Sequence, residues 1–149
     1  MVKYQYRFEK VLIIREQEKT ETEIAYKESV RSFEEVANKL YELLKKKEKL
    51  VEFRQERLAI GSSIEEIHHY ARFMDSLEKT IADVQQKVVQ ARAKMNWHEE
   101  KLLEKNLEVR KFEKMREKDF KAYQQEEDRV ESIFLDEISS LTYYKKEIR

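Results

Sequence analysis

This sequence predicts an all-α fold: two long helices wound into an antiparallel coiled-coil hairpin. Two observations predict it. The 149 residues hold no proline and one glycine, and those are the residues that break or weaken helix interiors. On both sides of that glycine, apolar residues recur at heptad spacing, the period that winds helices left-handedly about each other. The composition agrees. With 42% charged and 40% apolar residues, the chain has too little apolar material for a thick core but enough for a seam.

The first arm is expected over about residues 3–60. Val30, Ala37, Leu44, Val51 and Leu58 repeat every seven residues, beside Tyr26, Phe33, Leu40, Lys47 and Arg54. The turn is expected at about Gly61, which can take the left-handed conformation that closes a helix. Ser63 can cap the next helix, with Glu66 three residues on completing a capping box. The second arm, over about 63–141, is longer. Its seam is Ile67, Met74, Ile81, Val88, Met95, Leu102 and Val109, beside Tyr70, Leu77, Val84, Ala91, His98, Lys105 and Phe112. Past Phe112 the register slips, and regular pairing is expected to end. The whole of 1–149 reads as one domain.

Folding about Gly61 pairs residues whose numbers sum to about 123, so Phe8 falls near Met115 and Leu44 near Lys79. An arm of about 55 residues spans about 80 Å. The last thirty or so residues then run beyond the first arm while still carrying Val130, Ile133, Phe134, Ile138 and Leu141 at helical spacing. Such a stripe calls for a partner.

Several function classes are disfavoured. One glycine leaves no phosphate-cradling or dinucleotide loop. Zero cysteines remove thiolate chemistry and Cys-based zinc sites. Adjacent His68 and His69 diverge around a helix and make a poor metal pair, and His98 is an isolated seam residue. No catalytic residue, metal or cofactor is expected. Thirty-one basic residues balance thirty-one acidic ones, so bulk nucleic-acid binding is not expected. The apolar run Val11-Leu12-Ile13-Ile14 is too short to enter a membrane.

Two surfaces stand out as candidates for protein contact. Tyr4, Tyr6 and Phe8 alternate ahead of the heptads, either stapled onto the facing helix or exposed for docking. Basic residues interleave there, with Arg110, Lys111, Lys114, Arg116, Lys118 and Lys121 on the second arm. Nearer the turn, Leu43, Leu50, Tyr70 and Phe73 are apolar beside the seam, where a two-stranded coil is ordinarily polar.

Three segments carry a resemblance. Tyr4-Gln5-Tyr6-Arg7-Phe8-Glu9-Lys10-Val11-Leu12, the stretch from His69 to Glu78, and residues 104–120 (EKNLEVRKFEKMREKDF) resemble, in order, the FliJ family of flagellar export proteins, most closely its Bacillus-type members. The resemblance implies a non-enzymatic cytoplasmic component of the type III export apparatus, peripheral at the inner face of the membrane and shaped like the stalk of a rotary ATPase. It implies that the terminal end enters the ring of the export ATPase FliI, carried here by Tyr4, Tyr6, Phe8, Arg110, Lys111, Lys114 and Arg116. It implies contact with the export gate protein FlhA through Leu43, Leu50, Phe73 and Leu77, and a role in cycling export chaperones. The sequence departs from some members at Lys46, Thr80 and Val84. An injectisome stalk of the same shape and a plain structural coiled coil are the alternatives.

Overall fold

The structure, a computed structural model, describes residues 3–148 and is a helical hairpin. Helix α1 runs Glu9–Ile60 over 52 residues, and α2 runs Ile64–Ile148 over 85 residues. Between them Gly61 has φ +109°, a conformation side chains rarely tolerate. Its N–H donates to the Arg57 carbonyl at 2.9 Å, and the Ser62 hydroxyl donates to the same carbonyl at 3.3 Å. The Glu66 N–H donates to Ser63 Oγ at 3.2 Å, so the expected cap starts α2.

The first helix begins later than the expected residue 3. Lys3–Tyr6 are non-helical, and the Tyr6 carbonyl accepts from the Glu9 N–H at 3.2 Å to open the first turn. The physical reason lies in the rings. Tyr4 and Tyr6 stand two residues apart and both reach α2, as extended backbone allows and a helix does not. At the other end α2 continues past the expected 141, since no proline or glycine stops it.

The chain divides into two compact units. One takes in the described residues of Met1–Lys19 and Glu104–Arg149; the other is Thr20–Leu103. In the first, Tyr6, Leu12 and Val109 are buried, with Leu12 only 1% exposed. In the second, Leu77, Ile81 and Val84 are the buried apolar residues. Ser29 is buried with them, its hydroxyl donating to the Tyr26 carbonyl at 2.6 Å, which satisfies the group locally. The predicted second-arm rows are the observed ones from Tyr70 to Phe112: every member is buried or half-buried.

The first-arm rows need a correction. Tyr26, Phe33, Leu40 and Lys47 are half-buried as expected, and so are Val30 and Ala37, but Leu44, Val51 and Leu58 are exposed, while Val36, Leu43 and Leu50 are half-buried. Both rows flanking Tyr26-Phe33-Leu40 carry apolar residues, so periodicity alone cannot choose between them. The charged Lys47 and Arg54 then deprive the approach to the turn of a continuous apolar row. Every residue from Val51 to Gly61 is exposed, and so are Ile64 and Ile67.

Facing pairs obey the expected sum. Within the terminal unit, Arg15 meets Glu108 at 3.7 Å and Lys105 meets Glu18 at 3.3 Å. Within the other, Lys47 meets Glu78 at 3.5 Å. Arg15 also donates to Glu18 at 3.1 Å, and Lys105 lies 3.9 Å from Glu108. These four residues make one alternating charged layer across the arms. Hydrogen bonds from Arg15, then Lys105, hold the Glu18 carboxyl below its ordinary range. The side chains are partly solvated, so the layer adds little stability.

Candidate functional site

The two candidate surfaces fall in different units and are described in turn. In the terminal unit the N-terminal aromatics form a staple. Tyr6 is buried, and its hydroxyl donates to the Phe112 carbonyl at 3.1 Å. Phe8 packs against Phe112 at 6.4 Å and Tyr6 at 5.9 Å between ring centres. Tyr4 sits edge-on to Phe120 at 5.1 Å and beside Tyr123 at 5.0 Å. Its hydroxyl donates to Asp119 Oδ2 at 2.8 Å. Of the two readings left open by the sequence, the geometry is the staple. The rings bind α2 and leave little apolar surface of their own.

Partial burial, ahead of the hydrogen bond to Asp119, pushes the Tyr4 phenol up to about 12. The Tyr123 phenol is raised as well, first by its hydrogen bond to Glu127. A group whose folded pKa is raised contributes stability below its unfolded value and loses it as pH climbs through the folded one. The Tyr4 contact is therefore complete at neutral pH and fails only in strong alkali. In a spectrophotometric titration of the phenolates, Tyr4 is expected to ionise well after an ordinary tyrosine. Tyr4→Phe should remove that late component from the curve of the eight tyrosines. Amplitude lost only from the ordinary part of the curve, with the late part unchanged, would mean that this ring is not held against α2.

The basic residues do not form one cluster. Arg116 is half-buried and meets Glu9 on α1 at 3.6 Å. Arg110, Lys111 and Lys114 are exposed. Arg110, Lys114, Lys118 and Lys121 follow one another at helical spacing and share a face of α2, with Lys111 at its edge. Lys118 and Lys121 thus belong with the exposed cations more closely than Arg116 does. The three-and-four spacing was the available signal.

In the Thr20–Leu103 unit the four apolar candidates are also divided. Leu77 is buried in the seam, and Leu43 is half-buried there. Phe73 is exposed, with Lys46 Nζ 5.3 Å above its ring. Leu50 and Phe73 line an open groove of about 470 Å³, together with Phe53, Leu58, Ile67 and Tyr70. Arg54 lies 4.9 Å over Tyr70, and Arg57 lies 5.7 Å over Phe53, contacts that hold cations at the rim of the apolar floor. Sequence reasoning assigned Leu58 and Ile67 to the seam and passed over Phe53. Its place outside both first-arm rows was the missed signal.

Among the described residues no three His, Asp or Glu side chains converge on a metal-sized site, and no helix is long and apolar enough to cross a membrane. The two surfaces are thus a basic helical face in one unit and an apolar groove with cationic rims in the other.

Comparison with known proteins adds to this geometry. The flagellar FliJ protein family matches residues 4–147. The flagellar FliJ protein of Bacillus subtilis (strain 168) is 45% identical over 136 residues, 91% of this chain and 92% of that one. Among solved structures, that of CT670 from Chlamydia trachomatis, described as a YscO homolog, superposes with a TM-score of 0.70 and 21% identity, covering 99% of each chain. That likeness is one of fold.

Proposed function

The chain belongs to the FliJ family of flagellar proteins, and from that premise we propose that it is a non-enzymatic stalk of the type III export apparatus. Its terminal unit enters the ring of the export ATPase FliI, promotes the ring's assembly and raises its turnover. Its other unit engages the export gate protein FlhA and takes part in cycling export chaperones. The protein works in the cytoplasm, at the inner face of the cell membrane.

The observation that carries this reading is the exposed basic face formed by Arg110, Lys114, Lys118 and Lys121 beside the aromatic staple. A helix held in a protein ring needs a fixed internal packing and charges turned outward to the ring. The staple supplies the first and these cations the second. Arg116 supports the staple side by its pairing with Glu9. On the gate side the groove around Leu50 and Phe73 is the accessible surface, whereas Leu77 is buried and Leu43 half-buried in the seam.

The test replaces Arg110, Lys114, Lys118 and Lys121 together by alanine, the best helix former. Stimulation of a FliI-type ATPase should fall on the order of tenfold, as expected for the loss of several exposed charge contacts. Its salt dependence should flatten, while binding to the gate protein persists on the same folded variant. Undiminished stimulation would remove the basic face from the ring contact. No effect of the wild-type chain on any such ATPase would favour a spacer.

A further inference from the structure

Beyond the aromatic staple, α2 runs on with no cover of its own. Every described residue from Gln124 to Glu147 is exposed. Val130, Ile133, Phe134, Ile138 and Leu141 lie along one face, with Phe134 59% exposed. A shallow groove lined by Ile133, Asp136, Glu137, Ser140 and Leu141 follows this face. A stripe of this length left in water calls for an occupant.

The charges at its two ends identify one. Glu126, Glu127 and Asp128 precede the stripe, and Lys145 and Lys146 follow it. Glu127 and Lys145 are separated by about five full turns of 3.6 residues, so both stand at the same edge of the face. In an antiparallel pair of helices, matching edges meet. A second copy laid antiparallel, with facing numbers summing to about 272, sets Glu127 against Lys145 and Phe134 against Ile138. Two-fold symmetry makes each contact twice. A parallel pair in register brings opposite edges together, so Glu127 and Lys145, which share an edge, would not meet across it.

We propose that the C-terminal segment of α2, residues 126–146, is a self-complementary surface that pairs antiparallel with the same segment of a second copy of this chain. The overlap is about three heptads, roughly 30 Å, which suits a reversible dimer. One residue opposes it. Glu137 lies in the middle of the face, close to the two-fold axis, where the two copies bring like charges together. The pairing is thereby held weak enough to yield to a competing partner. It rests on the stripe and its flanking charges alone and needs no ATPase.

Sedimentation equilibrium on the full chain tests the proposal. The wild type should pass from monomer to dimer over the micromolar range. Glu127→Lys alone or Lys145→Glu alone should weaken the dimer about tenfold, since each turns two attractions into repulsions. The double variant Glu127→Lys/Lys145→Glu should restore it, and Glu137→Leu should tighten it by a similar factor. All these sites are exposed, so circular dichroism should be unchanged. A wild type that stays monomeric at every concentration overturns the proposal, as does a double variant no tighter than the singles. If variants of the stripe leave the chain monomeric and alter only ATPase stimulation, the stripe belongs to the ring and not to a second copy.

Discussion

Ile81→Asp is expected to destabilise the Thr20–Leu103 unit by about 4 kcal/mol, the cost of an unpaired charge in a seam. Ile81 is 6% exposed, and its neighbours along the buried row are Leu77 and Val84. A two-helix seam offers no second layer into which a carboxylate can turn. It must drag water in or take up a proton, and both open the seam. Amide exchange should quicken first on either side of residue 81, and the thermal midpoint should fall. Val89→Asp supplies the control. The same substitution made at a side chain 64% exposed should stay within about 0.5 kcal/mol of wild type. Equal effects at the two positions would mean that the rows of α2 are misassigned.

Leu12→Ala should cost about 3 kcal/mol in the terminal unit, within the usual span for a fully buried leucine. Leu12 is the most completely buried large side chain among the described residues, whereas its neighbours Ile13 and Ile14 are exposed. The run Val11-Leu12-Ile13-Ile14 looks uniform in sequence and is sharply divided in space. The cavity left by alanine lies one helical turn from Phe8, so the staple should loosen with it. Limited proteolysis near Tyr4–Phe8 should accelerate in Leu12→Ala and remain slow in Ile13→Ala. If Ile13→Ala proves as costly, the inward face of α1 has been drawn on the wrong side.

The fold was legible because its determinants are local and repeated. A single glycine marks the turn, and helical rise is uniform. One arithmetic rule therefore places Glu18 opposite Lys105 and Lys47 opposite Glu78 far from the turn itself. The choice between neighbouring rows on α1 was less legible. Leu43 and Leu44 are equally apolar, and only the partner helix decides which of them turns inward. Polar seam residues such as Lys105 also weaken the signal, because their long stems pack while their charges reach solvent or a facing carboxylate. At the candidate site, Tyr4, Tyr6 and Phe8 could be singled out but not oriented. Their packing depends on Phe112, Phe120 and Tyr123, about a hundred residues away. The shared face of Arg110, Lys114, Lys118 and Lys121 was readable from spacing. The engagement of Arg116 with Glu9 was not, because it crosses between arms.

The charged layer of Arg15, Glu18, Lys105 and Glu108 bears on how these arms respond to load. Apolar rows are forgiving: sliding one helix along the other by a heptad exchanges one oily contact for another. Charges in alternating sign are not. A slide of one turn would bring Lys105 or Arg15 away from its carboxylates. It would also leave Glu108 Oε2, already buried and without a hydrogen bond, with no cation beside it. The layer therefore works as a detent, an index mark cut into an otherwise slippery seam. Because its side chains are partly solvated, the detent is shallow: within the terminal unit it favours this register over a shifted one at rest and gives way under load.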